Sequence, residues 1–153
     1  YDTDIRNAIK QVKIPYRQNG GSGGTDRNGA NGLSCKIFLL SGYEIGFTTS
    51  DHPYYPVDGA KLSYFEAGTG SSALNKRIAY LNGSAAFWWL RSPYTGSTYN
   101  VWGVYSNGGC NFYNASNSLG IRPALILPST RMSPAVRSSP SSAPAPRRSS
   151  RRS

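Results

Sequence analysis

No acidic residue follows Glu66: all seven Asp and Glu of this 153-residue chain lie at or before it. A carboxylate acid–base pair needs convergent carboxylates, which the second half lacks, and calcium normally takes carboxylates among its ligands, so calcium-dependent binding there is disfavoured. Histidine is as scarce. His52 stands alone, before Pro53 in a loop-like stretch, and reads as a surface or packing residue rather than a catalyst. Two cysteines, Cys35 and Cys110, are too few for a disulfide framework. They can pair or both be free, and no compartment follows from them. Nothing beside Cys110 in sequence would lower its pKa, which argues against a nucleophile there. No apolar run approaches the roughly 18–20 residues that span a bilayer. The expectation is a non-enzyme with no metal, no cofactor and no membrane span within this stretch. The first residue is Tyr1 rather than Met, so the chain reads as an N-terminally truncated or processed piece.

Positive charge is plentiful but uneven. The net charge is +10, and six of the 17 basic residues are Arg in the segment from Ser129 onward. That tail, residues 129–153, holds only Met132 and Val136 as sizeable apolar residues. It cannot bury enough surface to offset the entropy of ordering, so disorder is expected. Arg147, Arg148, Arg151 and Arg152 are able to contact phosphates without sequence preference. However, the abrupt Arg/Ser/Pro/Ala mixture after "ILPS" also resembles translation in a shifted frame, and a nucleic-acid partner is disfavoured. The folded part is expected to be one domain over residues 1–128.

Within it, "YDTDIRNAIKQV" sets Ile5, Ala8, Ile9 and Val12 on one helical stripe. "KIPY" reads as a short extended piece and the glycine-rich run 17–32 as a mobile loop. "CKIFLLS" reads as a buried strand. "SSALNKRIAYL" gives a second helix capped by Ser71 or Ser72, with Leu74, Ile78 and Leu81 on one face and Asn82-Gly83 as its breaker. "AAFWWLRSP" is a strand entering a turn at Pro93. "NVWGVYSNGGCNFY" is a β-hairpin around Asn107-Gly108, a type I′ dipeptide. "GIRPALILP" is a last strand, bent or placed at an edge by Pro123. The class is α+β: short antiparallel sheets, two helices and much loop.

The pair "FWWLRSP" and, downstream, "GIRPALILP", preceded by "IFLLSGYEIGF", resembles a bacterial and phage domain family of otherwise unknown function. Its members look like the C-type-lectin fold in the wide sense that includes formylglycine-generating-enzyme-like domains. Some resemble the variable proteins of diversity-generating retroelements, in which mutated adenines rewrite surface residues. The resemblance implies a ligand-binding display protein on a phage tail or a bacterial surface, with a protein or cell-surface ligand. The other reading is a structural or adhesin module without diversification.

The stretch "STYNVWGVYSNGGCNFYNASNS", residues 97–118, supports diversification independently. Changing the two adenines of an Asn codon, with a pyrimidine held third, reaches Tyr, Ser, Gly, Cys, Phe, Ala, Asp, His and several others, but not Trp, Lys, Glu, Gln or Met. From Tyr99 to Ser118, every residue except Trp102 lies in the reachable set. Tyr, Ser, Gly and Asn are also the residues that antibody paratopes favour. The expected binding face is Tyr99, Asn100, Gly103, Tyr105, Cys110, Asn111, Phe112, Tyr113, Asn114 and Asn117, with Tyr105, Phe112 and Tyr113 as anchors. Trp88, Trp89, Trp102, Leu125 and Leu127 are expected to form the core behind it. Arg91 and Arg122 are expected as framework, paired to backbone carbonyls or to the early acids. Asn, Gly and Ser are equally ordinary turn residues, which is the plainer account of the same stretch.

Overall fold

Burial alternates along the "WWLRSP" run, with Trp88, Leu90 and Ser92 inside and Trp89, Arg91 and Pro93 half-buried. This strand, β8 (Trp88–Pro93), is the scaffold strand in a computed structural model that describes residues 3–128. It is followed by β9 (Asn100–Val104) and β10 (Cys110–Asn114), and the three form an antiparallel sheet with β9 in the centre. The other elements pair in twos. After α1 (Thr3–Ala8), β1 (Val12–Ile14) pairs with β4 (Leu33–Cys35), and β2 (Tyr16–Gln18) with β3 (Thr25–Arg27). β5 (Ile37–Leu39) pairs with β11 (Pro123–Leu125), and after α2 (Ser71–Arg77), β6 (Ala79–Leu81) pairs with β7 (Ser84–Ala86). Every strand pair is antiparallel, and the α+β class with two helices, several short sheets and much loop holds. No helix among the described residues is long and apolar enough to cross a membrane.

The core lies on one face of the three-stranded sheet. Trp88, Leu90, Trp102 and Val104 pack there against Leu40, Ile45, Phe47, Tyr55 and Phe65. Both buried indoles are satisfied, as a buried Trp requires. Trp88 Nε1 donates to the Arg77 carbonyl at 3.0 Å and Trp102 Nε1 to the Tyr54 carbonyl at 3.2 Å. Arg77 is fully buried, a position sequence reasoning did not single out. Its guanidinium donates to the carbonyls of Ile45, Glu66 and Gly68 and lies 3.9 Å from the Phe47 ring centre. Those contacts replace the water that a buried cation loses.

Several expectations need correction. α1 ends at Ala8 and buries nothing, and Val12 opens β1 instead of extending the helical stripe. The glycine-rich run is not loop throughout, because β2 and β3 form a hairpin inside it, tied by the Arg17–Asp26 ion pair at 3.0 Å. α2 is capped by Gly70 without a side-chain bond, it buries Ala73 and Arg77, and Leu81 lies exposed on β6. Asn82-Gly83 is the true type I′ turn, with φ of 51° and 81°, joining β6 to β7. At Asn107-Gly108 only the glycine has positive φ, 82°, and Gly108 N–H donates to the Tyr105 carbonyl. That is a longer hairpin loop closed by a left-handed glycine. Leu125 and Leu127 are exposed, at 44% and 50%, not core. Cys35 and Cys110 are both free. The tail expectations fall outside the described residues.

Candidate functional site

Strand periodicity divides the expected face. Across the β9–β10 hairpin, Cys110 pairs with Val104 and Phe112 with Trp102, so both side chains turn toward the core. Phe112 stacks on Tyr94 at 4.1 Å and meets Trp102 edge-on at 5.5 Å. Cys110 sits against the core beside Tyr55, and burial pushes its thiol pKa up. Neither residue belongs to an outward face, because side chains alternate along a strand and Asn111 and Tyr113 take the other side. His52 packs among the same rings, 4.9 Å from Trp102, with Nδ1 accepting the Tyr54 N–H at 3.3 Å.

The opposite face gathers Gly103, Tyr105, Asn111 and Tyr113. Two residues from β8 and its approach join them, Phe87 and Trp89. Ring centres lie 5.0 Å apart for Phe87–Tyr105, 6.0 Å for Tyr105–Tyr113 and 6.2 Å for both Phe87–Tyr113 and Trp89–Tyr113. All are edge-on contacts, the arrangement that ring quadrupoles favour. Asn111 Nδ2 donates to the Tyr105 hydroxyl at 2.5 Å. Partial burial raises the Tyr113 pKa, and the Tyr105 hydroxyl adds to it. Gly103 is itself buried, against the expectation of a binding residue, and only lets the strands approach: a Cβ there would stand 3.1 Å from the Trp88 carbonyl oxygen and 3.5 Å from Leu119 Cδ1. The result is an uncharged, aromatic, half-exposed patch on a sheet anchored from behind.

Phe87 and Trp89 were missed as face residues. The signal was present, since they alternate with Trp88 and Leu90 through a run of period two. The remaining expected residues form a separate group at the open end of the hairpin. Tyr99 is 63% exposed, Asn114 and Asn117 are exposed, and Asn100 is half-buried opposite Asn114. Asn114 and Asn117 close a turn, in which Asn114 Oδ1 accepts the Ser116 N–H and its carbonyl accepts the Asn117 N–H.

The signature arginine serves the frame. Arg91 grips Glu44 in a two-pronged ion pair, with both contacts at 2.6 Å, and donates to the carbonyls of Pro15, Leu39 and Asp58. Glu44 in turn accepts the Ser41 N–H at 3.0 Å. Next to it, Ser92 accepts the Gly42 N–H and donates to Asp58 Oδ2. Both "RSP" and "SGYE" therefore fix the 41–58 segment to β8. Arg122 lies 5.0 Å from the Trp88 ring and reaches the Arg77 carbonyl at 3.5 Å.

A cavity of about 490 Å³ opens between Tyr16, Arg27, Val57, Asp58 and Leu62. Of its two buried carboxylates, Glu44 is held by Arg91, and Asp58 is held by Ser92 through Oδ2 while its Oδ1 is buried without a hydrogen-bond partner. Among the described residues, no group of three or more His, Cys, Asp or Glu is placed to hold a metal ion. Asp58 is 2% exposed, and burial raises its pKa to about 6 against the opposing pull of Ser92 and Arg91. The folded protein therefore holds a proton at a pH where the unfolded chain has released it. This contribution to stability is full below about pH 4 and disappears as pH rises through about 6. Asp58→Asn is expected to gain about 2 kcal/mol over the wild type at pH 7 and almost nothing at pH 4. Urea denaturation at the two pH values measures it.

A family described as a domain of unknown function (DUF6273) matches residues 1–129. The chain belongs to that family. The match ends one residue beyond the last described residue, Pro128, so the DUF6273 unit takes in the sheet, the aromatic face and the Arg91 network together. No curated protein and no solved structure matches the chain.

Proposed function

We propose that this domain is a non-enzymatic ligand-binding display module, resembling a C-type-lectin-like fold, carried on a phage tail or a bacterial surface. Its binding face is Tyr105, Asn111 and Tyr113 beside Phe87 and Trp89. One observation carries the reading: a connected, uncharged aromatic patch, with an amide and two hydroxyls, lies half-exposed on the outer face of a sheet locked by buried Trp88 and Trp102. Tyrosines fixed by packing supply contact area at little entropic cost on binding. Tyr105, Asn111 and Tyr113 all belong to the set reachable from Asn codons. Phe87 and Trp89 precede that stretch and act as its constant floor. The ligand is a protein or cell-surface group.

The test separates face from core. Tyr105→Ala and Tyr113→Ala are expected to weaken binding of labelled protein to target cells about tenfold each, with stability changed by about 1 kcal/mol or less. Phe112→Ala is expected to cost about 3 kcal/mol of stability, read by denaturant titration. In DNA, the codons of Asn100, Asn111, Asn114 and Asn117 should read AAC or AAT, and a near-identical template repeat and a reverse-transcriptase gene should lie nearby. Sister copies that vary at Phe112 and hold Tyr113 constant would overturn the reading.

A further inference from the structure

Arg122 is the one cation in the second half of the described domain with no ionic or full structural commitment. Four basic residues lie between 67 and 128. Lys76 pairs with Glu66, Arg91 with Glu44, and Arg77 is buried on three carbonyls. Arg122 makes a single long hydrogen bond, 3.5 Å to the Arg77 carbonyl, and stacks over Trp88 and Phe65. A guanidinium has five N–H donors, so most of its capacity is unused.

It is also placed in a groove. A cavity of about 190 Å³ runs between the β6–β7 hairpin and residues 120–123, with Arg122 in its wall. The remaining walls are apolar: Tyr80, Leu81 and Ile121 are 69%, 62% and 70% exposed, with Phe87 and Trp88 behind them. Large exposed apolar side chains clustered around a groove mark an interaction site. The charge identifies what fits. The occupant needs apolar side chains for the walls and an anion for Arg122, and among the described residues the acids that form ion pairs are matched to Arg17, Lys76 and Arg91, not to Arg122. The chain's own segment from Ser129 carries six Arg and no acid, so it has the wrong charge for the groove.

The geometry points to a docking groove for an acidic, apolar peptide segment of a partner protein, with Arg122 holding a side-chain carboxylate and Tyr80 and Ile121 flanking its apolar residues. A forked guanidinium binds a carboxylate through two parallel hydrogen bonds, which gives direction as well as attraction. The groove adjoins the aromatic face, with Phe87 as their shared border, and Tyr113 lies outside the groove lining.

The experiment titrates the intact, isotope-labelled chain with the blocked peptide acetyl-Leu-Glu-Leu-Glu-Leu-amide and follows the Trp88 indole N–H by NMR. That N–H donates to the same Arg77 carbonyl that Arg122 reaches. A saturable shift is expected, weakened at least tenfold when Gln replaces both Glu of the peptide. It should also weaken at least tenfold in Arg122→Gln and in the surface variant Tyr80→Ser, whose unchanged melting separates lost binding from lost folding. Tyr113→Ala should leave it intact. Equal binding of the Gln peptide, undiminished binding by Arg122→Gln and Tyr80→Ser, or no saturable shift overturns the proposal. Inorganic phosphate that saturates the same resonances as tightly as the peptide would assign the site to a free anion and overturn it too. Sedimentation showing that the groove is closed by a second copy would have the same effect.

Discussion

Arg91→Met is expected to destabilise the protein by about 3–5 kcal/mol and to lower Tm on the order of 10 °C. The substitution leaves Glu44 buried as an unpaired carboxylate, and it leaves the carbonyls of Pro15, Leu39 and Asp58 without the donor they share. Removing one partner of a buried pair is costly because the other keeps its desolvation penalty. Arg91→Lys should recover little, since an ammonium cannot serve a forked carboxylate and three carbonyls in separate directions. Glu66→Gln is the control. Its ion pair with Lys76 is exposed and screened by water, and the loss should be small beside that of Arg91→Met. Chemical denaturation of the three variants measures the contrast, and equal losses for Arg91→Met and Glu66→Gln would refute the assigned role.

Gly108→Ala is expected to cost about 3 kcal/mol or more. Its φ of 82° is left-handed, which costs an L-residue about 1–2 kcal/mol. A Cβ there would also overlap the Leu74 carbonyl oxygen and come 2.6 Å from its carbon, which is backbone and cannot swing aside. Gly83→Ala isolates the first effect. Its φ is 81°, yet no atom lies within 4 Å of the added methyl, so only the conformational cost of about 1 kcal/mol applies. The difference measures how tightly the hairpin tip rests on α2. Near-equal losses would mean that the tip stands clear of the helix.

What the sequence disclosed follows from how local each signal is. The β9–β10 hairpin was legible because alternation and the Asn-Gly dipeptide coincide within a few residues. Its turn type was not, since the contact of Gly108 with Leu74 is remote in sequence and selects a different loop. The same dipeptide at Asn82-Gly83, read as a helix breaker, makes the type I′ turn. The split between Phe112 and Tyr113 depends on register, and the pairing of Phe112 with Trp102 states it directly. A strict two-residue period would have removed Cys110 and Phe112 from the face and added Phe87 and Trp89. Arg91 was expected to meet carbonyls or an early acid, and it meets both. Arg77 gave no signal: a basic residue inside an amphipathic helix resembles a solvated one until Ile45, Glu66 and Gly68 fold around it. The Gly-rich run looked shapeless because β2 and β3 are only three residues each.

β10 is the outermost strand of its sheet, hydrogen-bonded to β9 alone. A change of residue at Asn111 or Tyr113 therefore disturbs one neighbouring strand rather than two. Under the proposed reading, change at these two positions falls on the margin of the ladder, so versions of the surface that differ there would share one foundation.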